Sequence, residues 1–168
     1  MGSILLVLMS GLLLLAESAS GVRWKAPAAW KSQGDRPMRA ATYSAPAAAG
    51  DKEAGEVAVF YFGPGQGGGV QANLDRWQGQ FAQTTGAPKT SKSTVAGMAV
   101  TSIDVSGTYA ASSGPISQEK VNKPGFRMLG AIVEAPQGAV FFKFTGPAKT
   151  VGANEEAFQG MIKAISKE

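Results

Sequence analysis

Residues 56–62 read Glu-Val-Ala-Val-Phe-Tyr-Phe (EVAVFYF), a run in which β-branched and aromatic side chains fill both alternating faces. A strand with one wet face alternates apolar with polar residues, and this one does not, so a central strand covered on both sides is expected. Val57, Val59 and Tyr61 face one way, Ala58, Phe60 and Phe62 the other. Upstream, residues 51–55 supply a turn, 38–43 read as a further strand, and Trp24 and Trp30 are placed to anchor the chain end.

Downstream of the glycine-rich run 63–69, the spacing of Val70, Leu74, Trp77 and Phe81 predicts a helix over 70–82, with Asn73, Asp75, Arg76 and Gln80 off its apolar stripe and solvated. Three strand-like segments follow at 98–109, 126–135 and 139–145, the last two joined by a tight Pro136-Gln137-Gly138 turn that makes them antiparallel. Residues 110–125, rich in Ser, Gly, Pro and Lys, read as one long irregular connection, mobile or functional. Phe158, Met161, Ile162 and Ile165 define a terminal helix, with Thr150 or Asn154 as its cap and Glu155 and Glu156 near its positive end. The order of elements predicts an α+β sandwich on a mainly antiparallel sheet.

The thirteen uncharged residues Ile4–Ala16 are too short to span a bilayer, and small residues at Ala16 and Ser18, or at Ser18 and Ser20, suit a signal-peptidase site, the pattern of a secretory signal over residues 1–20 ahead of a single domain over 21–168. Retention as an uncleaved anchor is the alternative. Cleavage near Ser20 removes one charged residue, Glu17, and leaves a mildly basic exported protein, periplasmic or extracellular. Its Lys and Arg are dispersed rather than striped, which argues against nucleic acid and is compatible with peripheral contact to anionic envelope components.

The 168 residues contain no Cys and no His. Disulfides, thiol nucleophiles, histidine bases and zinc sites built on imidazole or thiolate are thereby excluded. Gly63, Gly65 and Gly68 fit G-x-G-x-x-G between a strand and a helix, where backbone amides can cradle a pyrophosphate. The following TTGAPKTSKSTVAG lacks the apolar strand and the acid that a dinucleotide fold needs, so contact with an anion or partner through exposed amides is the functional reading left for the loop. Ser117 and Lys120 match S-x-x-K, though glycine and proline surround the serine where a helix is needed. Glu56, Asp75, Asp104 and Glu134 are the carboxylates available for acid and base work, and surface ion pairing is the plainer account of them. No calcium loop is present, and Phe141, Phe142 and Phe144 read as core.

The segments VRWKAPAAWK, MRAATY, EVAVFYFGPGQGGGVQANLDRWQGQF and FRMLGAIVEAPQGAVFFKFTGPAKTV together resemble exported bacterial proteins and, more distantly, the PsbP and Mog α/β/α sandwich superfamily. The resemblance spans 22–165 and implies an antiparallel sheet with helices on both faces. PsbP-like members are extrinsic accessory subunits at membranes and Mog-like members bind a small GTPase, but no shared active-site motif carries either role here. The expectation is a non-catalytic exported accessory or binding protein without a cofactor, its partner a protein or envelope component. Its contact residues are Gly65, Gln66, Gly67 and Gly68 in one loop and Lys120 and Lys123 in the other. A small hydrolase using carboxylates or Ser117 and Lys120 is the rival.

Overall fold

The computed structural model describes residues 17–112 and 118–168. The leader Ile4–Ala16 lies outside them, as does Ser117. The strands are β1 (Glu17–Ala19), β2 (Val22–Trp24), β3 (Lys31–Ser32), β4 (Ala41–Ala45), β5 (Gly55–Tyr61), β6 (Phe81–Thr84), β7 (Lys89–Val95), β8 (Met98–Ser112), β9 (Lys120–Ala135), β10 (Gly138–Pro147) and β11 (Ser166–Lys167). The helices are α1 (Val70–Gln78) and α2 (Ala148–Lys163). The main sheet runs β3-β4-β5-β10-β9-β8-β6, with β7 paired to the other half of the long β8, and every pairing in it is antiparallel. β1, β2 and β11 form a small second sheet in which residues 17–19 pair with 22–24. Ser20 is buried, its hydroxyl donating to the Gly138 carbonyl, and Glu17 accepts from the Tyr43 hydroxyl.

The alternation in β5 divides two cores as expected. Val57 and Val59 join Leu129, Val133, Val140, Phe142 and Phe144 beneath α2, whose Val151, Phe158, Met161 and Ile162 close that side. Phe60 and Phe62 face the opposite core, where Leu74 and Trp77 of α1 lie over Met128, Ile132 and Phe141. Trp24 and Trp30 anchor the opening by donating their indole N–H groups to the Tyr43 hydroxyl at 2.8 Å and to Asn154 Oδ1 at 3.2 Å.

Several expectations are corrected. Helix α1 stops at Gln78 rather than at 82, and Phe81 belongs to β6, reaching the same core from a strand. Asn73 is buried and not solvated. The stretch after α1 holds a strand, though a polar, antiparallel one and not the apolar strand of a dinucleotide fold: β7 is an exposed edge whose Ser, Thr and Lys side chains leave no apolar period to read. The expected strand over 38–43 begins only at Ala41, because Met38 sits at φ 62°, outside the extended region. The irregular connection over 110–125 shrinks, since β8 runs to Ser112 and β9 starts at Lys120. Pro124 cannot donate to the ladder and sits where the β8–β9 register slips between Gly107 and Tyr109. At Gly107 a Cβ would lie 2.0 Å from the Gln83 carbonyl oxygen, so glycine alone lets β6 cross there.

Neither Thr150 nor Asn154 caps α2. Pro147 occupies that position without a side-chain bond, and the helix start is held from a distance: Asp51 Oδ2 accepts from the Thr150 N–H at 3.0 Å and its hydroxyl at 2.7 Å. Glu155 and Glu156 lie in the middle of the helix rather than in its first turn, so Glu155 is free to serve the sheet instead.

Candidate functional site

Helix α1 has nine residues, about 14 Å at 1.5 Å per residue, and covers only part of its sheet face. Where it ends, the face stays open as a cleft of about 410 Å³ lined by Arg39, Glu53, Glu56, Ala58, Phe60, Tyr109, Lys123, Phe126 and Lys143 among others. The alternation that buries Phe142 and Phe144 turns Lys143 toward this opposite face, beside Ala58 across the ladder. Its ammonium donates to Gln80 Oε1 and to the Tyr109 hydroxyl at 3.1 Å, and lies 5.3 Å from the Tyr109 ring centre. Arg39 sits over Phe60 and pairs with Glu56 at 3.1 Å; Lys123 sits over Phe126 and pairs with Glu53 at 2.6 Å.

Burial pushes Lys143 down to about 8, because an ammonium away from water favours its neutral form. Glu56 pulls it back up, while the positive charges of Arg39, Lys120 and Arg76 add to the lowering. The unfolded chain, where the group titrates near 10.5, then holds more protons than the native state, so stability should rise as pH climbs from about 8 to 10. The slope is at most about 1.4 kcal/mol per pH unit. Above pH 10 the tyrosines act with the opposite sign: burial holds Tyr43 and Tyr109 protonated in the fold when the unfolded chain would ionise them. Denaturant midpoints between pH 7 and 10 should rise for the wild type and stay flat for Lys143→Met; a flat wild-type curve would contradict the burial argument.

Of the residues expected to make contacts, Lys123 lines this cleft and Lys120 lies near it, bonded to Ser112 Oγ at 3.4 Å. Gly65, Gln66, Gly67 and Gly68 follow the far end of β5 from Glu53, the partner of Lys123, and Gln66, Gly67 and Gly68 line a separate hollow with Phe62 and Arg76, so the two groups are not brought together. In that loop Asn73 Nδ2 gathers the carbonyls of Gly67 and Gly69 at 2.8 and 2.9 Å, and Arg76 bonds Asn73 and the Gly67 carbonyl. Carbonyls turned onto the helix start are the reverse of an amide cradle for phosphate. Gly67 is required there, with φ +88° and a would-be Cβ 2.8 Å from the Phe62 ring.

The carboxylates are dispersed as well. Glu56 faces the cleft, Asp104 is locked to Arg127 on the α2 side, Asp75 accepts from Gln71 on the outer surface of α1, and Glu134 lines a separate shallow hollow. Lys120 opens a strand and is not one helical turn from anything. Among the described residues no cluster of three metal-ligating side chains occurs, and no helix is long and apolar enough to cross a membrane. A second groove of about 370 Å³ runs between α2 and the β7–β8 hairpin, lined by Ser91, Ser93, Ser102, Phe158 and Ile162, with Asp104 and Glu155 at its edge satisfied by Arg127.

Lys143, Tyr109 and Arg39 were not flagged by motif. A signal was present for Lys143: it is the one charge within the apolar run AVFFKF, on the parity shared with Phe141, where a cation must be either costly or useful.

No protein-family profile matches this chain, and no curated protein does. Among solved structures it is similar to cyanobacterial PsbP (CyanoP) from Synechocystis sp. PCC 6803, with a TM-score of 0.51, 8% identity, and coverage of 89% of this chain and 88% of that one. A protein of unknown function, PA94 from Pseudomonas aeruginosa, aligns at a TM-score of 0.46 and 15% identity over 89% of this chain and 94% of its own. The large antiparallel sheet with its two helices is thus a PsbP-like α+β fold, and at 8% identity the likeness extends to the fold alone.

Proposed function

We propose that this chain is a non-catalytic accessory or binding protein of the bacterial cell envelope, exported by a leader within residues 1–20, and that it engages its partner through the cleft beside Lys143. The observation that carries this reading is the composition of the cleft: three cations set beside three aromatic rings. Such a surface suits recognition better than bond cleavage. The hydrolase alternative needs two of Glu56, Asp104, Glu134, Ser117 and Lys120 at one point; Ser117 lies outside the described residues, and the separate placements of the other four lend it no support.

The test is fractionation and capture from the native host. The protein should appear in the periplasmic or extracellular fraction with an N-terminus that mass spectrometry places after the leader. In-cell cross-linking should recover a discrete partner that is lost with Lys143→Met. Cytoplasmic retention, recovery unchanged by the cleft variant, or turnover of ester, amide or glycoside probes would overturn the proposal.

A further inference from the structure

The charges in the cleft do not close. Arg39 has Glu56 and Lys123 has Glu53, whereas Lys143 takes part in none of the five ion pairs among the described residues. Its acceptors, Gln80 Oε1 and the Tyr109 hydroxyl, are neutral, and an ammonium has a third donor to offer. A largely enclosed cation is stabilised far more by an anion than by neutral dipoles. The deficit is one negative charge, and the carboxylates of Glu53 and Glu56 on the rim repel a ligand carrying more than that.

The remaining lining describes the body of the ligand. Phe60, Tyr109 and Phe126 are each half-buried and line the cleft, with Tyr109 and Phe126 stacked within 5° of parallel at 6.1 Å. Ala58 lies across the ladder from Lys143 and is followed on the same face by Phe60; its small side chain leaves the hollow at the cation's side. A volume of about 410 Å³ suits a molecule of one or two rings.

We propose that this cleft binds a small planar organic monocarboxylate, its anionic group on Lys143 Nζ and its ring or conjugated body against Phe60, Tyr109 and Phe126. The inference rests on the binding-protein reading above and names the ligand class of the same site.

The probe is benzoate, titrated into the 15N-labelled folded chain and followed by heteronuclear NMR, with benzamide, acetate and inorganic phosphate as comparisons. Benzoate should shift amides around residues 58–60, 109, 126 and 143 in a saturable manner. Benzamide, which lacks the charge, and acetate, which lacks the ring, should each bind at least about tenfold more weakly. Lys143→Met should lose at least about tenfold in benzoate affinity. Ala58→Leu, which fills the hollow and leaves every charge in place, should abolish the response, so either variant alone tests the site if the other folds poorly. Equal binding of benzamide, stronger binding of phosphate, or shifts scattered over the surface would overturn the ligand class. Loss of the ligand class with capture of a partner still dependent on Lys143 would leave the accessory reading standing, whereas benzoate binding in a protein retained in the cytoplasm would leave only the ligand inference.

Discussion

Trp77→Ala should lower unfolding stability by about 3–5 kcal/mol, the range for deleting a large buried aromatic side chain. Helix α1 has nine residues, too few to hold itself together in water, and Asn73, Leu74 and Trp77 are its buried positions. The indole meets Phe141 edge-on at 6.5 Å and packs on the sheet at Gly130, where a Cβ would come within 2.4 Å of the ring. Gly130→Ala should therefore cost about 1–3 kcal/mol by overpacking, and much less once Trp77 is already alanine. Urea unfolding of the two single variants and the double variant measures the coupling. A Trp77→Ala cost below about 1 kcal/mol, or strict additivity, would mean that α1 is held by something other than this contact. Because Gln80, which accepts from the Lys143 ammonium, follows directly on α1, loosening the helix should raise the exposure of Lys143 without changing any charge.

Arg127→Met should cost about 2–3 kcal/mol. The guanidinium grips Asp104 through Nε and Nη2 at 2.9 and 2.8 Å and reaches Glu155 Oε2 through Nη1 at 2.7 Å, tying α2 to β8 and β9. These hydrogen bonds hold its pKa above the ordinary arginine value even though burial opposes it, so the cation persists at every pH of interest. Its removal leaves two carboxylates facing each other at the edge of the core. The cost falls below the 3–5 kcal/mol of a fully buried pair because the side chains of Asp104 and Glu155 retain 27% and 33% exposure, which lets water screen them. Adding Asp104→Asn and Glu155→Gln to the Arg127→Met background should recover about half of the loss in denaturant midpoint. Failure of the neutral pair to recover any would assign the loss to the packing of the arginine stem instead.

The legibility of this chain followed its periodicities. EVAVFYF announced a strand buried on both faces, and Phe158, Met161 and Ile162 announced the face of α2 that packs on it, whereas Ile165, expected on that helix, reaches the same core from beyond its end at Lys163. The Pro136-Gln137 turn joined β9 to β10 as read. Where burial leaves no pattern the reading failed: β7 is wet on both faces, and Phe81 kept a helical interval while standing in a strand. Of the expected contact residues Lys123 does line the cleft, but the charge left over there is Lys143, the single charge in an otherwise apolar run.

Composition and alternation by themselves determined that cysteine and histidine chemistry is excluded and that an antiparallel sheet carries two separate cores, since both depend only on residue type and on which faces avoid water. The cleft and its unbalanced ammonium were decided by the tertiary structure. How far α1 reaches across the sheet, and which carboxylates come to meet which cations from segments up to 70 residues apart, depend on packing between distant elements that no local period records.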